Sequence, residues 1–121
     1  MRQEKINRAF PSLVKLRDIN LPVKKARAIY KMYVAVEDAY NFAAGEEKKY
    51  LVEYNGTVND DGSVHFNTPE ECSAFKERFD ELCNSDVELD VDVVSLSEND
   101  IGDQMLTPGD IYNLEDFVVF E

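Results

Sequence analysis

Four carboxylates recur at every second position in the last third of this 121-residue chain. They are Asp86, Glu88, Asp90 and Asp92, and apolar residues alternate with them. In an extended strand such side chains share one face and lie about 6.6 Å apart, so their charges form a row. A row of negative charges resembles backbone phosphates, and a protein that grips DNA or RNA could accept it. The alternative is a solvated strand face whose charges prevent aggregation.

Acidic residues can also bind Ca²⁺ or Mg²⁺. An EF-hand loop with Gly62 at its sixth position fails, because threonines occupy the first and twelfth positions, where Asp and Glu are required. Asn99, Asp100 and Asp103 could form a loose cation site. We nevertheless expect no specific metal and no cofactor, and we assign Asp100 and Asp103 to the same partner-binding surface as the four alternating carboxylates.

Residue sets typical of catalysis are missing from the sequence. It contains no Gly-rich phosphate loop, nucleophile elbow or Ser/His/Asp set. The only histidine, His65, falls in a predicted hairpin strand, where a surface or edge position is expected. The carboxylates follow a wet, alternating pattern that gives no sign of a tuned pKa. We expect a protein that is not an enzyme; a metal-dependent nuclease using the acidic loop is the remaining enzymatic hypothesis.

Charge is unevenly distributed along the chain. There are 13 Lys+Arg and 25 Asp+Glu, which give a formal net charge of −12. Residues 1–50 hold 11 basic and 6 acidic side chains, whereas residues 51–121 hold 2 basic and 19 acidic ones. Pairing between the halves cannot cancel this excess, so a negative field must remain and steer basic partners. The same charge argues against direct binding of nucleic acid or anionic lipid.

Length and composition fit a single globular domain, residues 1–121. The chain has no run of about 18 apolar residues, as a membrane span requires, and its first ten residues are too polar for a secretory signal. Cys72 and Cys83 fall in one predicted helix about 16 Å apart, too far for a mutual disulfide. We expect reduced core cysteines and a cytoplasmic location.

Helical periodicity dominates the first half of the chain. The spacing predicts a helix over residues 2–20 that Pro11 interrupts or restarts. A longer helix is predicted over residues 23–54, bending or stopping near Gly45 or ending at Asn55-Gly56. Its residues at alternating spacings of four and three form a heptad-like seam, in which only Glu47 breaks the apolar pattern: Ile29, Tyr33, Val36, Tyr40, Ala43, Glu47, Tyr50 and Tyr54.

The tyrosines of this long helix allow three interpretations. Together with nearby basic residues they could stack on single-stranded nucleic acid. They could instead form a homodimer interface, in which tyrosine is common. We favour the third interpretation, in which the seam packs inside the protein while the hydroxyls reach water.

The second half alternates short elements with turns. A hairpin is predicted over residues 57–66, and Thr68 and Glu71 form the capping box of a helix that ends near Asn84. Residues 86–96 predict a strand, with Val87, Leu89, Val91 and Val93 on its buried face. A polar loop over 97–104, a last helix after Thr107 and a fraying apolar end over 117–120 follow. The fold class is α+β, with helices packed against a small antiparallel sheet.

Several segments in this order resemble a known family. They are LPVKKARAIYKM, an Asp-Gly hairpin, FKERFDELCNSDVELDVDVVSL and LTPGDIYNLEDFVVF. Together they resemble small proteins of unknown function encoded by phages of Gram-positive bacteria, over most of the chain from Phe10 onward. The resemblance implies a phage or prophage origin and a host cytosol setting, and it implies no reaction and no catalytic residue.

The sequence therefore predicts an acidic protein that binds and inhibits a basic, nucleic-acid-handling host protein. An anti-CRISPR or anti-restriction inhibitor that mimics DNA through its charge is the natural example. The alternative is a phage assembly or structural protein that associates with itself or another protein through its tyrosine-lined helix.

Overall fold

The computed structural model describes every residue from Met1 to Glu121. Five helices and four short strands follow in the order α1 (Gln3–Arg17), α2 (Val23–Glu53), β1 (Thr57–Val58), β2 (Val64–His65), α3 (Pro69–Asn84), β3 (Val94–Leu96), α4 (Glu98–Ile101), α5 (Pro108–Asn113) and β4 (Val118–Phe120). Strands β1 and β2 form an antiparallel hairpin, whereas β3 and β4 pair in parallel. The predicted α+β class with one long helix is confirmed.

Helix α1 runs through Pro11 without a break, so the predicted interruption or restart is wrong. Proline removes one bond to the carbonyl four residues earlier. Pro11 is exposed, whereas Ile6, Leu13 and Leu16 on the opposite side of α1 are fully buried. Burial of this apolar side keeps the helix continuous despite the lost bond.

Helix α2 is about 46 Å long and passes Gly45 without stopping. It ends in a Schellman motif, in which Asn55 has a φ of 57° and the Gly56 amide donates to the carbonyl oxygen of Leu51 at 2.7 Å. Every residue of the predicted seam is buried or half-buried. The packing interpretation of the seam is thereby confirmed, and the face proposed for a homodimer is covered within the protein.

Two apolar clusters lie along α2. The larger one joins α1 and the first half of α2 to β3, β4 and the end of α5, with Phe117 and Leu114 at its centre. The smaller one packs the second half of α2 against α3 through Ala43, Tyr50 and Leu82. Helix α2 therefore contributes to both clusters and links them.

Several local predictions for the second half need correction. Thr68 caps α3 as predicted, but the Glu71 carboxylate interacts with the Thr68 hydroxyl and Asn55 instead of closing the capping box. The loop over 97–104 contains α4, which begins at a true capping box of Ser97 and Asp100. The end of the chain does not fray, because β4 pairs with β3.

Candidate interaction surface

The acidic row, defined as Asp86, Glu88, Asp90 and Asp92, lies on an extended segment between α3 and β3. All four side chains are exposed, and none takes part in an ion pair. The alternating Val87, Leu89 and Val91 are half-buried against the larger apolar cluster. The predicted separation into a wet and an apolar face is therefore confirmed for residues 86–91.

The alternation changes phase before β3, so the predicted inward position of Val93 is wrong. Val93 is 59% exposed, whereas Val94 is 7% exposed. The Val94 amide donates to the Phe117 carbonyl oxygen at 3.0 Å, which aligns Val94 and Leu96 with β4 and the core. Of the predicted strand, only residues 94–96 pair with another strand. The one other β pairing in this range is an isolated bridge at Asp86.

The backbone of this segment is largely unpaired. Near its start, Val87 exchanges hydrogen bonds with Met1 at 2.7 and 3.0 Å, and the Gln3 amide donates to Ser85 at 2.9 Å. From residue 88 to residue 93 the backbone makes no hydrogen bond within the protein. An extended stretch with free donors and acceptors is therefore exposed beside the core.

Two clefts separate this segment from the flank of α2. The acidic cleft, about 720 Å³, is lined by residues 85–89 and by α2 residues that include Asp38 and the exposed Phe42. The mixed-charge cleft, about 740 Å³, is lined by residues 90–92 and by Lys24, Arg27 and Lys31. The first cleft carries only negative charge, whereas the second brings cations opposite Asp90 and Asp92.

Intramolecular ion pairs neutralise a different part of the acidic half. Eight ion pairs form, and four of them join a cation of residues 1–50 to a carboxylate of residues 51–121. Those four are Lys5–Asp116, Arg8–Glu115, Lys15–Asp110 and Lys25–Asp100. The basic first half therefore forms ion pairs with carboxylates near the end of the chain and none with the acidic row. Cations near the row include Arg2, which forms a β-bridge with Asp86, and the three cations across the mixed-charge cleft.

The two remaining predicted site residues have different surroundings. Asp100 closes the cap of α4 and pairs with Lys25, and its side chain is 11% exposed. The Lys25 ammonium, followed by the Ser97 backbone amide, lowers the pKa of Asp100. Asp103 is exposed in the turn after α4 and has no ion-pair partner. The Asp100 carboxylate is thus engaged in contacts within the protein. The Asp103 carboxylate is in no ion pair, but it lies outside the segment that carries the row.

Helix α3 extends the negative surface towards the acidic row. It exposes Glu70, Glu77, Asp80 and Glu81, and it ends directly before residue 86. Burial, followed by the negative charges of Asp80, Glu4 and Glu47, raises the pKa of the Cys83 thiol. Both cysteines are reduced, as expected, and the raised pKa makes the Cys83 thiol a poor nucleophile.

Sequence reasoning missed the α2 side of this surface. Lys24, Arg27 and Lys31 follow an i, i+3, i+7 spacing, which places them on one helix face and is visible in the sequence. That this face lies across a cleft from Asp90 and Asp92 depends on the tertiary fold. No sequence pattern around Asp38 and Phe42 predicted that both would line the other cleft.

Potential metal ligands are dispersed over the structure. No group of three His, Cys, Asp or Glu residues lies close enough to hold a metal ion, and His65 is exposed on β2 as expected. No helix is long and apolar enough to cross a membrane. The arrangement can present charge and a free backbone edge to another molecule.

Comparison with known proteins gives no relative for this chain: no protein-family model, no curated protein and no solved structure matches it. The fold and the surface define a small α+β protein with an exposed acidic extended segment.

Proposed function

We propose that this protein binds a basic protein that handles nucleic acid. It inhibits that partner by placing carboxylates at the positions where the partner binds phosphates. One observation carries the proposal: all four carboxylates of the acidic row are exposed and outside all eight ion pairs, while four cations of the first half pair with carboxylates near the end of the chain. An unpaired field of one sign steers an oppositely charged partner and selects against others.

The start of the row borders the acidic cleft and the end of α3. Two cations also lie there: Arg2 forms a β-bridge with Asp86 and pairs with Glu4, and the Met1 ammonium donates to the Val87 carbonyl oxygen. Asp86 and Glu88 share their cleft with Asp38 and no cation, and the acidic face of α3 lies next in the chain. Asp90 and Asp92 face three cations across the neighbouring cleft. We therefore place the phosphate-like contact chiefly at Asp86, Glu88 and the end of α3.

The resemblance to phage-encoded proteins suggests the setting of the proposal. In that setting the partner is a host restriction or CRISPR effector, whose nucleic-acid groove is lined with Lys and Arg. The function is then inhibition by occupation of that groove, with no reaction and no cofactor.

Charge reversal tests this proposal. The tagged protein is exposed to a bacterial lysate, and bound proteins are identified after elution with increasing salt. A variant with Lys at positions 86, 88, 90 and 92 is expected to lose a nucleic-acid-binding protein that the wild type retains until high salt. The control carries the same change of charge at four exposed, unpaired sites outside the row and α3: Asp60, Glu98, Asp103 and Glu121. Equal retention by both variants contradicts the proposal.

A second candidate is association through α2, the alternative function of the sequence analysis. Its tyrosine seam is covered, but Tyr30 is 65% exposed and Val34 and Val52 lie on the same outer stripe of the helix. Light scattering during size exclusion tests it, because association through this stripe predicts an oligomer that Tyr30→Glu converts to monomer. A monomeric wild type at about 100 μM argues against it.

A further inference from the structure

We infer that residues 86–92 are an incomplete sheet edge that takes up an extended peptide segment of the partner between this edge and α2. The inference rests on the proposed function, since it names the part of the basic partner that is bound. The segment carries basic side chains at the end near Asp86 and acidic side chains at the end near Lys24, Arg27 and Lys31. Recognition by strand addition uses backbone hydrogen bonds for affinity and side-chain pockets for specificity.

The direction of the backbone groups identifies the free edge. The backbone amide and carbonyl of Val87 both bond to Met1. At this point of the segment, the backbone groups of odd-numbered residues therefore point to the edge at which Met1 lies. Backbone groups alternate between the two edges of an extended strand. The amides and carbonyls of Asp86, Glu88 and Asp90 therefore point to the opposite edge, where no strand of the protein pairs with them.

The position of the cavities agrees with this assignment. A small cavity of about 240 Å³ touches Met1 and Phe117, which flank the partly paired edge. The acidic cleft and the mixed-charge cleft touch neither of these residues and are lined by the segment and α2. Gln3 of the paired edge also lines the acidic cleft, where its side chain donates to the Ala39 carbonyl oxygen of α2. The free edge thus opens onto the two larger clefts.

The clefts have the length that a short strand needs. They follow α2 from Val23 to Phe42, a rise of about 28 Å. A peptide of eight extended residues spans about 26 Å. The α2 side of the clefts includes small side chains, Ala28 at one end and Ala35 and Ala39 at the other, together with the exposed apolar Phe42.

Charge complementarity defines the peptide. The acidic cleft contains Asp38, Asp86 and Glu88 and no cation, so it favours Lys or Arg in the peptide. The mixed-charge cleft contains three cations and two carboxylates, and its cations are in no ion pair, so it favours an acidic side chain. A uniformly basic peptide fits only one of the two clefts.

A second copy of this chain is a poor occupant of the same edge. Antiparallel pairing of two copies over residues 86–92 would set the acidic row of one copy opposite that of the other. At the acidic cleft, which no cation lines, like charges directly opposite each other would destabilise this strand pair. The edge is therefore matched to a foreign strand.

The first test uses synthetic peptides with blocked ends. The probe has valine at alternate positions, two lysines towards one end and two glutamates towards the other. The control has the same composition with lysine and glutamate interleaved, so neither end matches a cleft. We expect saturable binding of the probe, roughly tenfold weaker binding of the control, and slowed amide exchange at Glu88 and Asp90. No saturable binding of the probe up to about 1 mM, or binding without slowed exchange, overturns the inference.

A pair of variants separates this inference from the proposed function. Asp90→Ala and Asp90→Pro remove the same charge, but only proline also removes the backbone donor, and the native Asp90 amide has no partner within the protein. We expect probe peptide and captured basic protein to bind Asp90→Pro at least roughly tenfold more weakly than Asp90→Ala. Equal binding of the captured protein to these two variants, together with its loss on charge reversal of the row, overturns strand addition and leaves the proposed function standing.

Discussion

At the scale of single residues, Asp110 shows how the basic first half is used within the protein. Its carboxylate is buried and accepts hydrogen bonds from Ser12 and Lys15, each at 2.8 Å, and from the Thr107 amide at 3.0 Å. Burial by itself opposes ionisation of Asp110. The hydrogen bonds from Lys15, Thr107 and Ser12 outweigh it and hold the pKa of Asp110 well below its usual range. Asp110 thereby joins α1 to α5.

Replacing Asp110 is expected to weaken the fold. Asp110→Ala removes the acceptor of three hydrogen bonds and the capping box of α5, at a cost of about 2–3 kcal/mol in the free energy of unfolding. Denaturation by urea measures this difference. The control is Asp103→Ala, at an exposed carboxylate outside all ion pairs, which should change the free energy by less than about 0.5 kcal/mol. Equal effects of the two substitutions would show that Asp110 has no structural role.

Acid is expected to destabilise the protein through Asp100 and Asp110. Both have a folded-state pKa below the unfolded value, so each stabilises the fold above about pH 4 and loses this contribution as pH falls further. The free energy of unfolding should therefore decline steadily below about pH 4 in wild type. Denaturation of Asp110→Asn over the same pH range should show a shallower decline; an identical slope contradicts the assignment to Asp110.

At the scale of elements, a structural feature was predictable from the sequence where it depends on neighbouring residues and not where it depends on distant ones. The seam of α2, the turn at Gly62 and the caps at Thr68 and Thr107 were predictable because each depends on neighbouring residues. The phase change between Val91 and Val94 was not predictable, because it depends on β4, more than twenty residues further along. Continuity of α1 through Pro11 likewise depends on burial against α2.

Pro11 offers a test of that continuity. Since it removes a hydrogen bond inside α1, Pro11→Ala should raise the free energy of unfolding by about 1–3 kcal/mol. Pro108 occupies the first turn of α5, where a missing amide costs nothing, so Pro108→Ala should give no comparable gain. Thermal or urea denaturation compares the two. A loss of stability in Pro11→Ala would indicate that proline is required at this point of the helix.

The candidate surface was only half visible in the sequence. Alternation alone placed Asp86, Glu88 and Asp90 on one wet face, and the structure agrees. The structural engagement of Asp100 was missed, since its partner Lys25 lies 75 residues away in the chain. The clefts beside α2 were missed for the same reason, because both of their walls are brought together by the tertiary fold.

At the scale of the whole molecule, the ion-paired and the unpaired charges lie largely in different regions. Four ion pairs place cations of the first half against carboxylates of residues 100–116, and three unpaired cations gather at the mixed-charge cleft. The acidic row and the exposed face of α3 carry carboxylates without ion pairs, and so do single sites elsewhere, among them Asp60 and Asp103. Residues 70–92, which hold nine acidic and two basic side chains, are therefore a continuous stretch of excess negative charge.

Competition with nucleic acid tests this distribution of charge most directly. The basic protein captured by the wild type is bound to a labelled nucleic acid that it recognises, and this protein is then added in increasing amounts. Occupation of one groove predicts full displacement of the nucleic acid, with an efficiency that falls as salt rises, and no displacement by the variant reversed at the acidic row. A stable ternary complex of partner, nucleic acid and this protein would contradict the proposal that its carboxylates take the place of phosphates.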